Sequence, residues 1–173
     1  MISKIALLGF MGSGKTTVGR ILSERLRWRF LDTDSLIVAR LGLAIPLIFE
    51  KYGEDYFRYW ESRVLQEIAP EEKIVLATGG GLPIKEENWV ILSRDFLTVF
   101  LRWKLDTLYR RIKNDPERPL LAQHRTLQDL EKLYFARLPF YERASVIIDG
   151  DAKTQEEIAE EIIQYANDYG IAP

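Results

Sequence analysis

Eight consecutive residues, Gly9-Phe10-Met11-Gly12-Ser13-Gly14-Lys15-Thr16, fit the pattern G-x-x-x-x-G-K-[ST]. Glycines at 9, 12 and 14 let the backbone curl until successive N–H groups face inward, which is a cradle for a phosphate. Lys15 then reaches the β- and γ-phosphates of a nucleotide, and the Thr16 hydroxyl is placed to ligate Mg²⁺. A second group of residues has the chemistry of an acceptor site. Asp32 and Asp34 lie two apart in Leu31-Asp32-Thr33-Asp34. Arg58 precedes Glu61 by one helical turn, so the carboxylate can orient the guanidinium. With Arg137, Arg58 would favour an anionic partner, because guanidinium binds carboxylate bidentately. Gly79-Gly80-Gly81 is a run that implies close approach of the backbone to a neighbour, expected to be a ligand.

Composition removes other classes. The 173 residues include 24 basic and 26 acidic side chains, for a net charge of −2, which argues against a general nucleic-acid or membrane binder. There is no cysteine, so disulfides, thiol catalysis and cysteine metal sites are out. The single His124 cannot make a histidine metal cluster. No signal peptide and no long apolar run is visible.

The elements that must position these residues follow from pattern. Ile5-Ala6-Leu7-Leu8 is an unbroken apolar run, suited to a strand buried on both faces. Val18, Ile21, Leu22 and Leu26 recur at helical spacing after the loop. Further strands are expected at 29–31, 74–77, 97–101 and 146–148. Helices are expected at 35–41, 46–51, 54–68 and 86–92, from Leu105, from Leu127, and from a capping box at Thr154-Gln155-Glu156-Glu157. Pro139 is expected to bend or end its helix. The last helix is expected to carry Ile158, Ile162, Tyr165, Ala166 and Tyr169 on one face and to stop at Gly170. Strands alternating with helices give an α/β protein, three layers α/β/α around a five-stranded parallel sheet. The stretch 33–69 exceeds what a crossover needs and reads as an inserted substrate-binding subdomain. Asn114 to Arg125 is loop-like, and 112–125 reads as a lid. The core is then 1–32, 73–111 and 143–173, within one domain. A guanine-reading Asn-Lys-x-Asp is absent, so the residues point to a small kinase with an acceptor subdomain.

Taken together, these motifs resemble the shikimate kinase family over nearly the whole chain. The matching pieces are residues 9–19, Leu31-Asp32-Thr33-Asp34, Gly53-Glu54 with Phe57-Arg58 and Glu61, Ala77-Thr78-Gly79-Gly80-Gly81, Arg118-Pro119-Leu120-Leu121, and Arg137-x-x-x-Tyr141. The resemblance implies a P-loop kinase fold and ATP-dependent phosphorylation of the 3-hydroxyl of shikimate, on the way to chorismate and the aromatic amino acids. It implies ATP contacts from Gly12, Ser13, Gly14, Lys15, Thr16 and Thr17. Arg118 would come from the lid, and Arg110 or Arg111, with Lys153, would lie near adenine; Arg111 is the chosen candidate. Shikimate would be held by Asp34, Arg58, Arg137 and the backbone of Gly79, Gly80 and Gly81. Thr16 and Asp32 would hold Mg²⁺, and Lys15, Asp34 and Arg118 would be catalytic. The expected setting is a cytoplasmic monomer whose partners are ATP and shikimate, with no nucleic acid or membrane, or the plastid stroma if a transit peptide was trimmed. Val38, Leu47 and Trp60 depart from the family pattern and bear on the shape of the acceptor pocket. Three other readings stay open to the residues: another small-molecule or nucleotide kinase, a non-catalytic binding module, and an NTPase without an acceptor.

Overall fold

The computed structural model describes residues 3–113 and 126–170. Five parallel strands form one sheet in the order β2-β3-β1-β4-β5. They are β1 (Lys4–Leu8), β2 (Arg29–Asp32), β3 (Ile74–Ala77), β4 (Leu97–Arg102) and β5 (Val146–Asp149). The central strand is apolar because both of its faces are covered, and Ile5 to Leu8 are fully buried. Eight helices are described: α1 (Lys15–Leu26), α2 (Thr33–Leu41), α3 (Ile45–Tyr52), α4 (Glu54–Ile68), α5 (Glu86–Asp95), α6 (Leu105–Ile112), α7 (Leu127–Tyr141) and α8 (Gln155–Asp168). A short 3₁₀ turn, Leu82–Ile84, follows β3.

The chain steps from β1 outward to β2, returns to β3 beside β1, then crosses to β4 on the other side. Right-handed crossovers in opposite directions place their helices on opposite faces of the sheet. Helix α1 accordingly packs with α8, while α5 packs with α4. This produces the three-layer α/β/α architecture expected from the sequence. The reversal leaves a crevice beyond the carboxyl end of β1, where ligands bind in open parallel sheets. The loop 9–14 occupies that crevice.

The described elements keep to the expected boundaries within a few residues, with two corrections. Helix α7 runs through Pro139 to Tyr141 instead of ending there. Tyr141 is clamped under Phe100, with ring centroids 5.2 Å apart, and its packing holds the last turn in place. On α8, Ile158, Ile162 and Ala166 are buried, but Tyr165 and Tyr169 are exposed. The capping box is present, with Thr154 accepting from the Glu157 N–H and Glu157 from the Thr154 N–H. Of the stretch expected as a lid, Ile112 ends α6 and is buried; residues 114–125, with Arg118 and His124, lie outside the described residues.

Candidate active site

The loop between β1 and α1 turns on two left-handed glycines, Gly12 at φ 78° and Gly14 at φ 85°. A side chain at either position would be strained, which is why the motif demands glycine there. Lys15 folds back over the curl. Its ammonium donates to the carbonyls of Gly9 at 2.9 Å and Phe10 at 3.0 Å, and to Ser13 Oγ at 3.3 Å. The positive charge therefore sits above the cradle at the start of α1, where the helix adds its own partial positive charge.

Asp32 ends β2 and caps α2, its Oδ1 accepting from the Ser35 N–H at 3.1 Å. Its other oxygen accepts from the Thr16 hydroxyl at 2.9 Å. The two hard oxygen groups expected around Mg²⁺ are thus in contact. Gly12, Gly14, Lys15, Thr16 and Thr17 share a cleft of about 700 Å³ with Asp32, Asp34, Thr78 and Gly80. One wall of that cleft is apolar and is built by Met11, Val38, Ala39 and Ile45. Ser13 is buried beneath the loop.

The far end of the cleft is organised around the glycine run. Each glycine makes room for a charged side chain of this same chain. A Cβ on Gly79 would lie 2.5 Å from Glu61 Oε1 and 2.6 Å from Asp34 Oδ1. On Gly81 it would lie 2.2 Å from Arg58 Nη1, and on Gly80 3.3 Å from Arg137 Nη1. So two carboxylates and two guanidiniums, carried by α2, α4 and α7, converge on three residues of backbone. The sequence expectation of close approach at the glycines holds, with protein side chains as the neighbours. Thr33 fixes the run at one end by accepting from the Gly79 N–H at 2.7 Å. Tyr141 fixes its middle by donating to the Gly80 carbonyl at 2.5 Å. Burial pushes the Tyr141 hydroxyl up to about 12, so it stays a donor.

Arg58 donates to Glu61 at 2.7 Å and to Glu54 at 2.8 Å. Burial works against its charge, but these two carboxylates outweigh it and raise its pKa. Glu61 is completely buried. Burial raises its pKa from 4.5 to about 7, against the opposing pull of Arg58. Its Oε1 has no hydrogen-bond partner among the described residues, and neither has Nε of the buried Arg137.

The two residues expected near adenine fare differently. Arg111 lies against the phosphate loop, its guanidinium donating to the Gly12 carbonyl at 3.0 Å. Lys153 is drawn to Glu161 of α8. Sequence reasoning gave no role to Gln155, yet its side chain reaches the loop: a Cβ on Gly14 would lie 2.7 Å from Gln155 Oε1. The capping box fixed Gln155 at the start of α8, but no local signal tells which loop that start faces. Val38 lines the cleft, and Leu47 is half exposed. Trp60 packs among Tyr56 and Tyr59 with Arg40 over its ring at 5.6 Å.

A family model described as shikimate kinase matches residues 11–167. The chain belongs to the shikimate kinase family. A shikimate kinase of a Sulfurihydrogenibium species is 41% identical over 162 residues, 94% of this chain and 96% of that one. The shikimate kinase of Streptococcus gordonii is 43% identical over 92% of this chain and 97% of its own. The structure of the Acinetobacter baumannii enzyme in complex with shikimate superposes with a TM-score of 0.94 at 36% identity, covering 99% of this chain and 97% of that one.

Proposed function

We propose that this site transfers the γ-phosphoryl group of ATP to the 3-hydroxyl of shikimate, giving shikimate 3-phosphate and ADP. The observation that carries the reading is the meeting of Arg58, Arg137, Asp34 and Glu61 at Gly79–Gly81, beside a cleft that Asp34 and Gly80 line together with the phosphate loop. Shikimate is a carboxylated, polyhydroxylated ring. It needs guanidiniums at one end and a hydrogen-bond acceptor at the other, and this cluster supplies both.

In this reading Arg58 and Arg137 hold the carboxylate, with Glu61 and Glu54 fixing Arg58. Asp34 binds ring hydroxyls and accepts the hydrogen bond of the attacking one. Gly79, Gly80 and Gly81 give backbone contact. Gly12, Ser13, Gly14, Thr16 and Thr17 cradle the phosphates, and Lys15 neutralises charge that develops on the transferring group. Phosphoryl transfer asks for positioning and charge neutralisation more than covalent chemistry, which suits a site of cations and backbone amides. Arg111, Lys153 and Gln155 flank the nucleotide. Arg118, outside the described residues, is assigned to the ATP phosphates, and 112–125 to the lid that carries it.

Among the described residues no three or more His, Cys, Asp or Glu side chains could cage a metal. That suits Mg²⁺, which keeps its waters and leans on substrate phosphates. Thr16 and Asp32 would hold it, Asp32 through water, and when bound it would offset the charge of the phosphates. No described helix is long and apolar enough to cross a membrane. We take the chain as a cytoplasmic monomer whose partners are ATP and shikimate. The test is a coupled ADP-release assay with shikimate and a few related acids. ADP release at one rate with and without shikimate refutes the reading.

A further inference from the structure

Trp103 lies just after β4 and is buried. Its indole N–H donates to the Ser13 carbonyl at 2.9 Å. In a trans peptide the C=O and N–H point in opposite directions, so holding the Ser13 carbonyl on the outside aims the Gly14 N–H at the cradle. The Arg111 guanidinium lies over the indole at 3.9 Å and is braced there by its bond to the Gly12 carbonyl. The β5–α8 connection is fitted to the same ring: a Cβ on Gly150 would sit 2.2 Å from Trp103. The Trp103 carbonyl accepts from Tyr134 of α7 at 3.3 Å, which fixes the backbone beneath the ring. One side chain thus touches all three segments that flank the nucleotide: the phosphate loop, α6 and the start of the connection to α8.

We propose that Trp103 is a positioning residue for nucleotide binding, setting the Ser13–Gly14 peptide through its N–H and presenting Arg111 through its ring face. This rests on the nucleotide half of the function proposed above and not on its acceptor half. It acts through other residues, so its mark is selective weakening of the nucleotide. Trp103→Phe keeps an aromatic face under Arg111 and removes the N–H; Trp103→Leu removes both. By calorimetry, MgADP affinity should fall about three- to tenfold in Trp103→Phe, the worth of one hydrogen bond, and further in Trp103→Leu. Shikimate affinity should stay within about twofold of the parent, as the ring's contacts are with Ser13, Arg111 and Gly150 and not with Arg58, Glu61 or Arg137. Equal losses for both ligands, or MgADP affinity matching the parent in both variants, overturn the proposal.

A second measurement needs no change at Trp103. The chain has four tryptophans, so ¹⁵N-labelled protein gives four indole N–H signals. Substituting Trp28, Trp60 and Trp89 singly by Phe assigns three and leaves Trp103 as the fourth. MgADP should shift that signal and shikimate should leave it in place. A Trp103 signal indifferent to MgADP overturns the proposal even if neither Trp103 variant folds. Absence of shikimate phosphorylation would refute the acceptor assignment, whereas the MgADP titrations decide Trp103 by themselves.

Discussion

Glu61 sits where burial disfavours its charge. It is fully buried, and burial lifts its pKa from 4.5 to about 7 despite Arg58. A carboxyl whose folded pKa is raised contributes stability that is present below its unfolded value and lost as pH rises through the folded one. The ligand-free protein should therefore lose that contribution between about pH 4.5 and about 7. Thermal melts of the parent and of Glu61→Gln should converge differently across that window, with the variant flatter; parallel curves would show Glu61 ionised throughout. An anionic acceptor adds negative charge beside Glu61, so its binding should take up protons and weaken as pH rises through 7. Calorimetry in buffers of different ionisation enthalpy measures that uptake. The other residues divide by ligand. Lys15→Ala should keep the fold by circular dichroism and lose about 10²-fold or more in kcat, because its charge acts most on the transition state. An unchanged kcat would disprove the role. Arg58→Ala and Arg137→Ala should each cost about 2–5 kcal/mol of shikimate binding, as for truncated buried charge pairs, and far less of ATP binding. Equal losses by calorimetry would place these arginines elsewhere.

The elements show how far pattern reaches. Helix α4 matched its expected bounds because Phe57, Val64, Leu65 and Ile68 give it one buried stripe and Gly53 marks its start. The phosphate loop was legible because its chemistry is local: glycine conformations, one lysine and one helix start. The glycine run was legible as a close approach, but not as an approach to Arg58, Glu61, Asp34 and Arg137, since those contacts join residues far apart in sequence. That Pro139 does not end its helix has a long-range cause of the same kind. Its local cost is real, yet long-range packing of Tyr141 against Phe100 and Gly80 outweighs it. Tyr165 and Tyr169 are exposed although Ala166 between them is buried, so the face that packs is narrower than the apolar stripe. A prediction belongs at this scale. Gly81→Ala would drive a methyl into the Arg58 guanidinium. Shikimate affinity should fall at least about tenfold, the scale of a disturbed charge pair, while MgADP binding stays. Retained shikimate affinity would show that the arginine can shift at no cost.

At the scale of the whole molecule, two ligands held by the folded site as proposed would stabilise the chain by mass action. MgADP or shikimate at about 100 times its Kd should each add about 2.7 kcal/mol, seen as a higher Tm, and both together should exceed either alone. A pair of ligands no better than one would mean that they compete for one end of the cleft. The described architecture also bears on how such a molecule can change its choice of acceptor. The donor end is compact in sequence, most of it in residues 9–17. The acceptor end is dispersed: Asp34, Arg58 and Glu61 come from the stretch between β2 and β3, the glycines from the turn after β3, and Arg137 from α7. Grafting residues 33–69 from a relative would bring three of the charged groups and leave behind the backbone and the arginine shaped to receive them. On the proposed assignment, acceptor preference in this scaffold is a trait inherited in three pieces, and a single exchange of sequence would scramble it before it could transfer it.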